Sequence, residues 1–193
     1  MKKIFFIATG IFLMLSLVLA VGQSDINAQK SGSGEIQKIK LQSGEHIAEG
    51  GQHVMIKQEA NSQLRLEVGG KSAVSSISID QESVDGKTKF HAQLSNGKNA
   101  EIKIMPDAAS EHALEKLRLR VCSEENGCSI ELKEIGEGEG LRAAYEVQVE
   151  RHSRILGIFA KKMQVRAQID AENGEVVNVD KPWWAFLAME PAE

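Results

Sequence analysis

From Ile36 onward the chain alternates apolar and polar residues, the pattern of strands with one face buried and the other in water. Leu64, Leu66 and Val68 alternate with Arg65 and Glu67, while Phe90, Ala92 and Leu94 alternate with Lys89, His91 and Gln93. Asp85-Gly86 and Asn96-Gly97 stand between such runs, and both dipeptides tolerate the positive φ of a two-residue hairpin turn. Residues 73–84, 87–95 and 98–105 are therefore expected to form an antiparallel meander. The earlier runs at 36–41 and 52–58, the latter carrying Val54 and Ile56, are expected to join the same sheet.

At Met105-Pro106-Asp107 the period changes. Asp107 is positioned to cap a helix, Glu111 sits near its positive end, and Ala109, Ala113, Leu114 and Leu117 share one face at helical spacing. Four strands follow: one at Ile130-Glu-Leu132, one through Tyr145, Val147 and Val149, and one through Met163, Val165, Ala167 and Ile169. The last, Val176-Val177-Asn-Val179, comes after an Asn173-Gly174 turn. Gly136-Glu-Gly-Glu-Gly140 reads as a mobile loop between two of them. The fold class expected is α+β, predominantly antiparallel β in a meander of about 8–10 strands, with one short amphipathic helix.

The start of the chain reads differently. Lys2 and Lys3 precede the uncharged run Ile4 to Gly22, which fits a secretory signal peptide with a cut before Gln23 and equally a retained signal anchor. In either case the positive-inside rule places residues 30–193 outside the cytoplasm, secreted or tethered to the membrane. Polar residues 23–35, with Ser31-Gly-Ser-Gly34, form a flexible linker. The organisation expected is thus 1–22 signal or anchor, 23–35 linker, 36–105 β-meander half, 106–182 helix plus antiparallel sheet, and 183–193 an aromatic tail.

Of the 193 residues, 23 are Lys or Arg and 27 Asp or Glu, for a net charge of −4. That balance argues against nucleic acid, whose binding rests on clustered cations. Cys122 and Cys128 flank Asn126-Gly127, a turn that brings them together, and outside the cell such a pair oxidises to a disulfide. The competing reading is a metal site with Glu124 and Glu125, but zinc usually takes four ligands and only two sulfurs exist.

Catalytic signals are sparse. His46, His53, His91, His112 and His152 are scattered, and His112 with Glu115 makes only a helix-surface pair. Gly69-Gly70-Lys71-Ser72 has the ending of a phosphate-binding loop but Arg65 where its first glycine would stand, so it reads as a β-turn. Neither a Gly-x-Ser-x-Gly elbow nor a Cys-His arrangement is present. No catalytic residue, cofactor or metal site is assigned.

Two stretches point to binding. Ile155, Leu156, Ile158 and Phe159 are bracketed by Arg151, Arg154, Lys161 and Lys162, and Trp183, Trp184, Phe186 and Leu187 follow Pro182 in the tail. On one reading Gly157 marks a bulge, the tail folds back, and the two patches cover one another. On the other they form a surface that contacts a partner or lipid headgroups.

The segment from about Asp107 to Asp180 resembles the PepSY module, an extracytoplasmic unit of peptidase propeptides and envelope proteins. The resemblance lies in the amphipathic helix, the Tyr145-Glu-Val147-Gln-Val149 strand, and the run Val165 to Val176 with its Asp170-Ala171-Glu172-Asn173-Gly174 turn. Arg151 to Met163 departs from that family's compact connection. With its Pro182-Trp183-Trp184 tail, the whole chain is also similar to small exported archaeal proteins. The PepSY resemblance implies a non-catalytic module that restrains a peptidase or contacts another envelope protein, and it carries over no functional residue. The alternatives are a structural or assembly component of the envelope, and an enzyme whose site follows no motif.

Overall fold

The computed structural model describes residues 38–119, 121–155 and 158–189. The apolar run 4–22 and the linker 23–35 lie outside them. Among the described residues no helix is long and apolar enough to cross a membrane.

The chain runs β1 (Ile39–Lys40), β2 (Gly44–Ile47), β3 (His53–Gln58), β4 (Leu64–Val68), β5 (Lys71–Ser75), β6 (Ile79–Val84), β7 (Lys87–Gln93) and β8 (Asn99–Ile102). Helix α1 (Pro106–Leu117) follows, then β9 (Cys128–Ile135), β10 (Arg142–Ile155), β11 (Phe159–Asp170), β12 (Val176–Asp180) and β13 (Ala188–Met189). This is the α+β class, β-rich with one helix. The strands divide into a small sheet, β1-β6-β7-β8, and a large one, β12-β11-β10-β9-β5-β4-β3-β2.

The expected meander is present in β6-β7-β8, joined by β1, but the division corrects the expectation that 52–58 shares its sheet, since β3 lies in the large one. The run 73–84 is two strands in two sheets, because the chain leaves β5 at Ser75, whose hydroxyl donates to Ile77 O at 2.8 Å, and enters β6 at Ile79. The large sheet then joins strands from both ends of the chain through a parallel pair, Val74 with Glu131 and Ser75 with Leu132. Alternation specifies a strand and its buried face, but not which other strand it pairs with.

One face of the large sheet is apolar along its width. Ile56 stands beside Leu66, and Leu66 beside Ala73. Across the parallel seam Ser75 stands beside Leu132, Leu132 beside Tyr145, and Tyr145 beside Ile169. All of these are buried, and the opposite face carries Arg65, Glu131, Lys133, Glu146 and Arg166. Helix α1 packs on the apolar face over β4, β5, β10, β11 and β12. The small sheet contributes Ile79, Phe90, Ala92 and Ile102 to the same core, is bridged at Thr88 to Ala48, the residue after β2, and meets the β11–β12 turn where Lys103 N and Ile104 N donate to Ala171 O.

The helix start also differs from expectation. Met105 is the N-cap, Pro106 opens the first turn, and Asp107 lies within it without making a capping hydrogen bond. Proline's fixed φ suits that position, and the Asp107 charge still favours the positive end of the helix. Two glycines let the helix sit close. Gly69, in the β4–β5 turn with φ 56°, would put a Cβ 3.3 Å from the Asp107 side chain. Gly174, with φ 78°, leaves room for His112, whose Nδ1 lies 2.7 Å from Gly174 O. The acidic 136–140 segment closes in a turn, with Gly140 N donating to Glu137 O at 2.9 Å.

Candidate functional site

The β10–β11 hairpin is longer than the sheet that contains it. Its register runs from Ala144 with Asp170 to Ile155 with Phe159. On one side β9 covers β10 only as far as Val149, and on the other β12 covers β11 only down to Arg166. Beyond those points the pairs from Glu150 with Gln164 to Ile155 with Phe159 form a two-stranded arm projecting past the sheet by roughly 20 Å at the usual rise per residue. The sequence accounts for this. The apolar alternation of Val147, Val149, Met163 and Val165 gives way to Arg151, His152, Ser153 and Arg154 opposite Ala160, Lys161 and Lys162, so little is left to bury.

The tail lies back on this arm. After β12 ends at Asp180, residues Trp183–Leu187 form a short 3₁₀ turn, and β13 pairs with the end of β10, Met189 with Arg154 and Ala188 with Ile155. The two stretches singled out in the sequence therefore meet. Trp184 and Ala185 pack against the core, and Lys161 Nζ sits 4.9 Å from the Trp184 ring centroid, a cation–π contact. Leu187 is half-buried. The mutual covering goes no further, because Ile158 is 76% exposed, Phe159 67%, Trp183 82% and Phe186 77%. The Ile155 side chain and all of Leu156 lie outside the described residues.

The charge of the arm is opposite to that of the chain. Between 150 and 164 stand four basic residues, Arg151, Arg154, Lys161 and Lys162, and one acidic residue, Glu150. Lys162 Nζ lies 2.7 Å from Glu150 and holds that carboxyl below its ordinary range. Where the tail leaves the sheet, a cleft of about 510 Å³ is lined by Glu150, Lys162, Arg166, Asp180, Lys181 and Trp184. Lys181 and Arg166 were not legible as site residues in the sequence, since only the tail's return path brings them beside the aromatic patch.

A larger cleft, of about 720 Å³, opens at the starts of β5 and β9, ahead of their two-residue parallel pairing. Its wall is the 122–128 loop, closed by the disulfide between Cys122 and Cys128 with Cα atoms 5.2 Å apart. The polar groups there bind one another. Arg65 bonds to Glu59 at 2.6 Å, to Glu124 at 2.9 Å and to Ser72 at 2.9 Å, which raises the Arg65 pKa and lowers that of Glu124. Lys71, the first residue of β5, donates to Cys122 O at 2.5 Å. The charges clasp the disulfide loop to β4 and β5.

His53, also on the larger cleft, pairs with Glu45 at 2.8 Å, His91 lies 3.6 Å from Glu82, and His112 bonds with Gly174 O. Among the described residues no group of three His, Cys, Asp or Glu side chains is arranged to hold a metal ion. Neither a family model, nor a curated protein, nor a solved structure matches the chain.

Proposed function

We propose that this chain is an exported, non-catalytic binding module that engages a component of the cell envelope through the β10–β11 arm and the tail laid along it. The observation that carries this reading is the exposed apolar bulk on the projecting arm and on the tail laid against it: Ile158 and Phe159 on the arm, and Trp183 and Phe186 on the tail, all stand in water. Apolar side chains scattered singly over a surface need no explanation, whereas a cluster rimmed by polar groups marks a contact site. Export is supported by Lys2, Lys3 and the uncharged run behind them, which fit a signal peptide or anchor. The PepSY resemblance of 107–180 favours a binding role in the envelope. A non-catalytic role is supported by the larger cleft, whose charged groups are satisfied by one another.

Site-specific photo-crosslinking tests the reading. A photoreactive side chain at position 159 or 183 of the full chain, in the cells that make it, should yield adducts with a protein or a lipid. One at exposed Val84, on the small sheet, should not. Equal labelling from all three positions, or none from 159 and 183, would refute the arm as the contact surface.

A further inference from the structure

The geometry points to a specific occupant for this surface: we infer that the arm and tail dock on a lipid bilayer bearing anionic headgroups. Ile158, Phe159, Trp183 and Phe186 enter the interfacial layer, and Lys161, Lys162, Arg166 and Lys181 face the phosphates. The inference rests on the reading of the arm as the binding surface and adds the chemistry of the partner.

Three observations favour a bilayer over a protein. The first is shape. Ile158 and Phe159 lie at the tip of a ribbon that runs beyond its sheet, with the tail that carries Trp183 and Phe186 laid alongside it, a projecting element that a fluid interface accepts without a matching groove. The second is residue type. Protein interfaces are depleted in lysine, yet Lys161, Lys162 and Lys181 flank the aromatic side chains here. Long lysine stems lie along apolar surface while the ammonium reaches the headgroup level, and tryptophan favours that boundary because its ring is apolar and its N–H polar. Lys161, with its ammonium over the Trp184 ring, is already in that arrangement.

The third observation is charge. A chain with 27 acidic and 23 basic residues would as a whole be repelled by an anionic surface. The excess of cations on the arm makes the attraction local, so it draws the arm toward the membrane and leaves the acidic remainder turned away. The cleft beside Trp184, with Lys162, Arg166 and Lys181 against Glu150 and Asp180, gives a headgroup phosphate cationic partners next to the inserted rings. Such attraction decays within a Debye length and weakens with salt.

Trp183 and Trp184 are the two tryptophans of the chain, so its indole fluorescence reports on the tail alone. The full chain reconstituted in vesicles is the sample, and brominated acyl chains are the quencher. An N-terminal anchor would hold the protein on any vesicle, but it would not by itself bring the tail into contact with acyl chains. Quenching should be strong in phosphatidylglycerol-containing vesicles, weak in phosphatidylcholine alone, and reduced by salt. Replacing Lys161, Lys162 and Lys181 together by Glu should lower the quenching constant by about tenfold or more. Ile158→Ser with Phe159→Ser should reduce it too, and both residues are exposed enough for the fold to survive, as a thermal melt will confirm.

Quenching that is equal in phosphatidylcholine overturns the selection of anionic headgroups, and quenching absent from both vesicle types overturns the lipid assignment. If photo-crosslinks from 159 and 183 to a protein persist in that event, the arm remains the binding surface and the partner is a protein. If those crosslinks are also missing, the reading of the arm itself has failed.

Discussion

Tyr145 offers a sharp test of the core. Among the described residues it is the largest fully buried side chain, it stands between Leu132 and Ile169 on the apolar face, and its hydroxyl has no hydrogen-bond partner there. Asp107 Oδ1 and Ser110 Oγ, on the overlying helix, are buried without partners as well. A buried hydroxyl left unpaired costs about 1–3 kcal/mol, whereas the ring contributes its full apolar contact. Tyr145→Phe keeps the ring and removes the cost, so it should stabilise the protein by about 1–2 kcal/mol, which raises the melting temperature by roughly 2–6 °C for a domain of this size. Most core substitutions do the reverse.

The same side chain predicts a pH dependence. Burial, and after it the Asp107 charge, pushes the Tyr145 pKa well above its ordinary value of about 10. The folded protein therefore keeps the proton at pH values where the unfolded chain releases it. Below pH of about 10 both states hold the proton and the group adds no slope; above it, stability falls by about 1.4 kcal/mol per pH unit. Urea denaturation of wild type and Tyr145→Phe at neutral and alkaline pH measures both effects. Tyr145 is the one tyrosine in the chain, so tyrosinate absorbance should appear only on unfolding. A Tyr145→Phe protein that loses about 1 kcal/mol would mean that the hydroxyl has a partner, such as an ordered water, and would refute the reasoning. So would tyrosinate absorbance from the folded protein near the ordinary pKa.

Two further outcomes follow from the clasp and from the polar face of the large sheet. Replacing Cys122 and Cys128 together by Ser should cost about 2 kcal/mol, the loop entropy of so short a ring, and reductant should lower the urea midpoint of the wild type by a matching amount; identical midpoints with and without reductant would sink this. Glu146 is held below the ordinary carboxylate range despite its burial, which raises its pKa, because Lys133 at 2.9 Å and Gln168 at 3.0 Å bond to it. A depressed carboxyl stabilises above its unfolded value of about 4.3, and that contribution is lost as pH falls through the folded value. Glu146→Gln should accordingly flatten the acid limb of the stability curve, and an unchanged slope below about pH 4 would show that the pair contributes nothing.

Much of the local structure was legible in the sequence because its causes are local. Tyr145 to Val149 and Met163 to Ile169 declare strands by a period of two, Asp85-Gly86, Asn96-Gly97 and Asn173-Gly174 declare turns by their tolerance of positive φ, and Cys122 and Cys128 lie close enough in the chain for their turn to join them. The apolar and basic character of 151–162 and 183–187 was equally plain. Pairing between distant strands was not, since an alternating run presents the same edge to any partner. Only the packed structure decides that β5 pairs with β9 in parallel, that the chain changes sheets at Ser76 to Ser78, and that two residues of the tail pair with β10. That last pairing determines the candidate surface. The sequence by itself established that Phe159, Trp183 and Phe186 exist beside lysines; the fold laid the tail along the arm and left all three in water, the flanking strands β9 and β12 reaching no further along the arm than the partners of Val149 and Arg166.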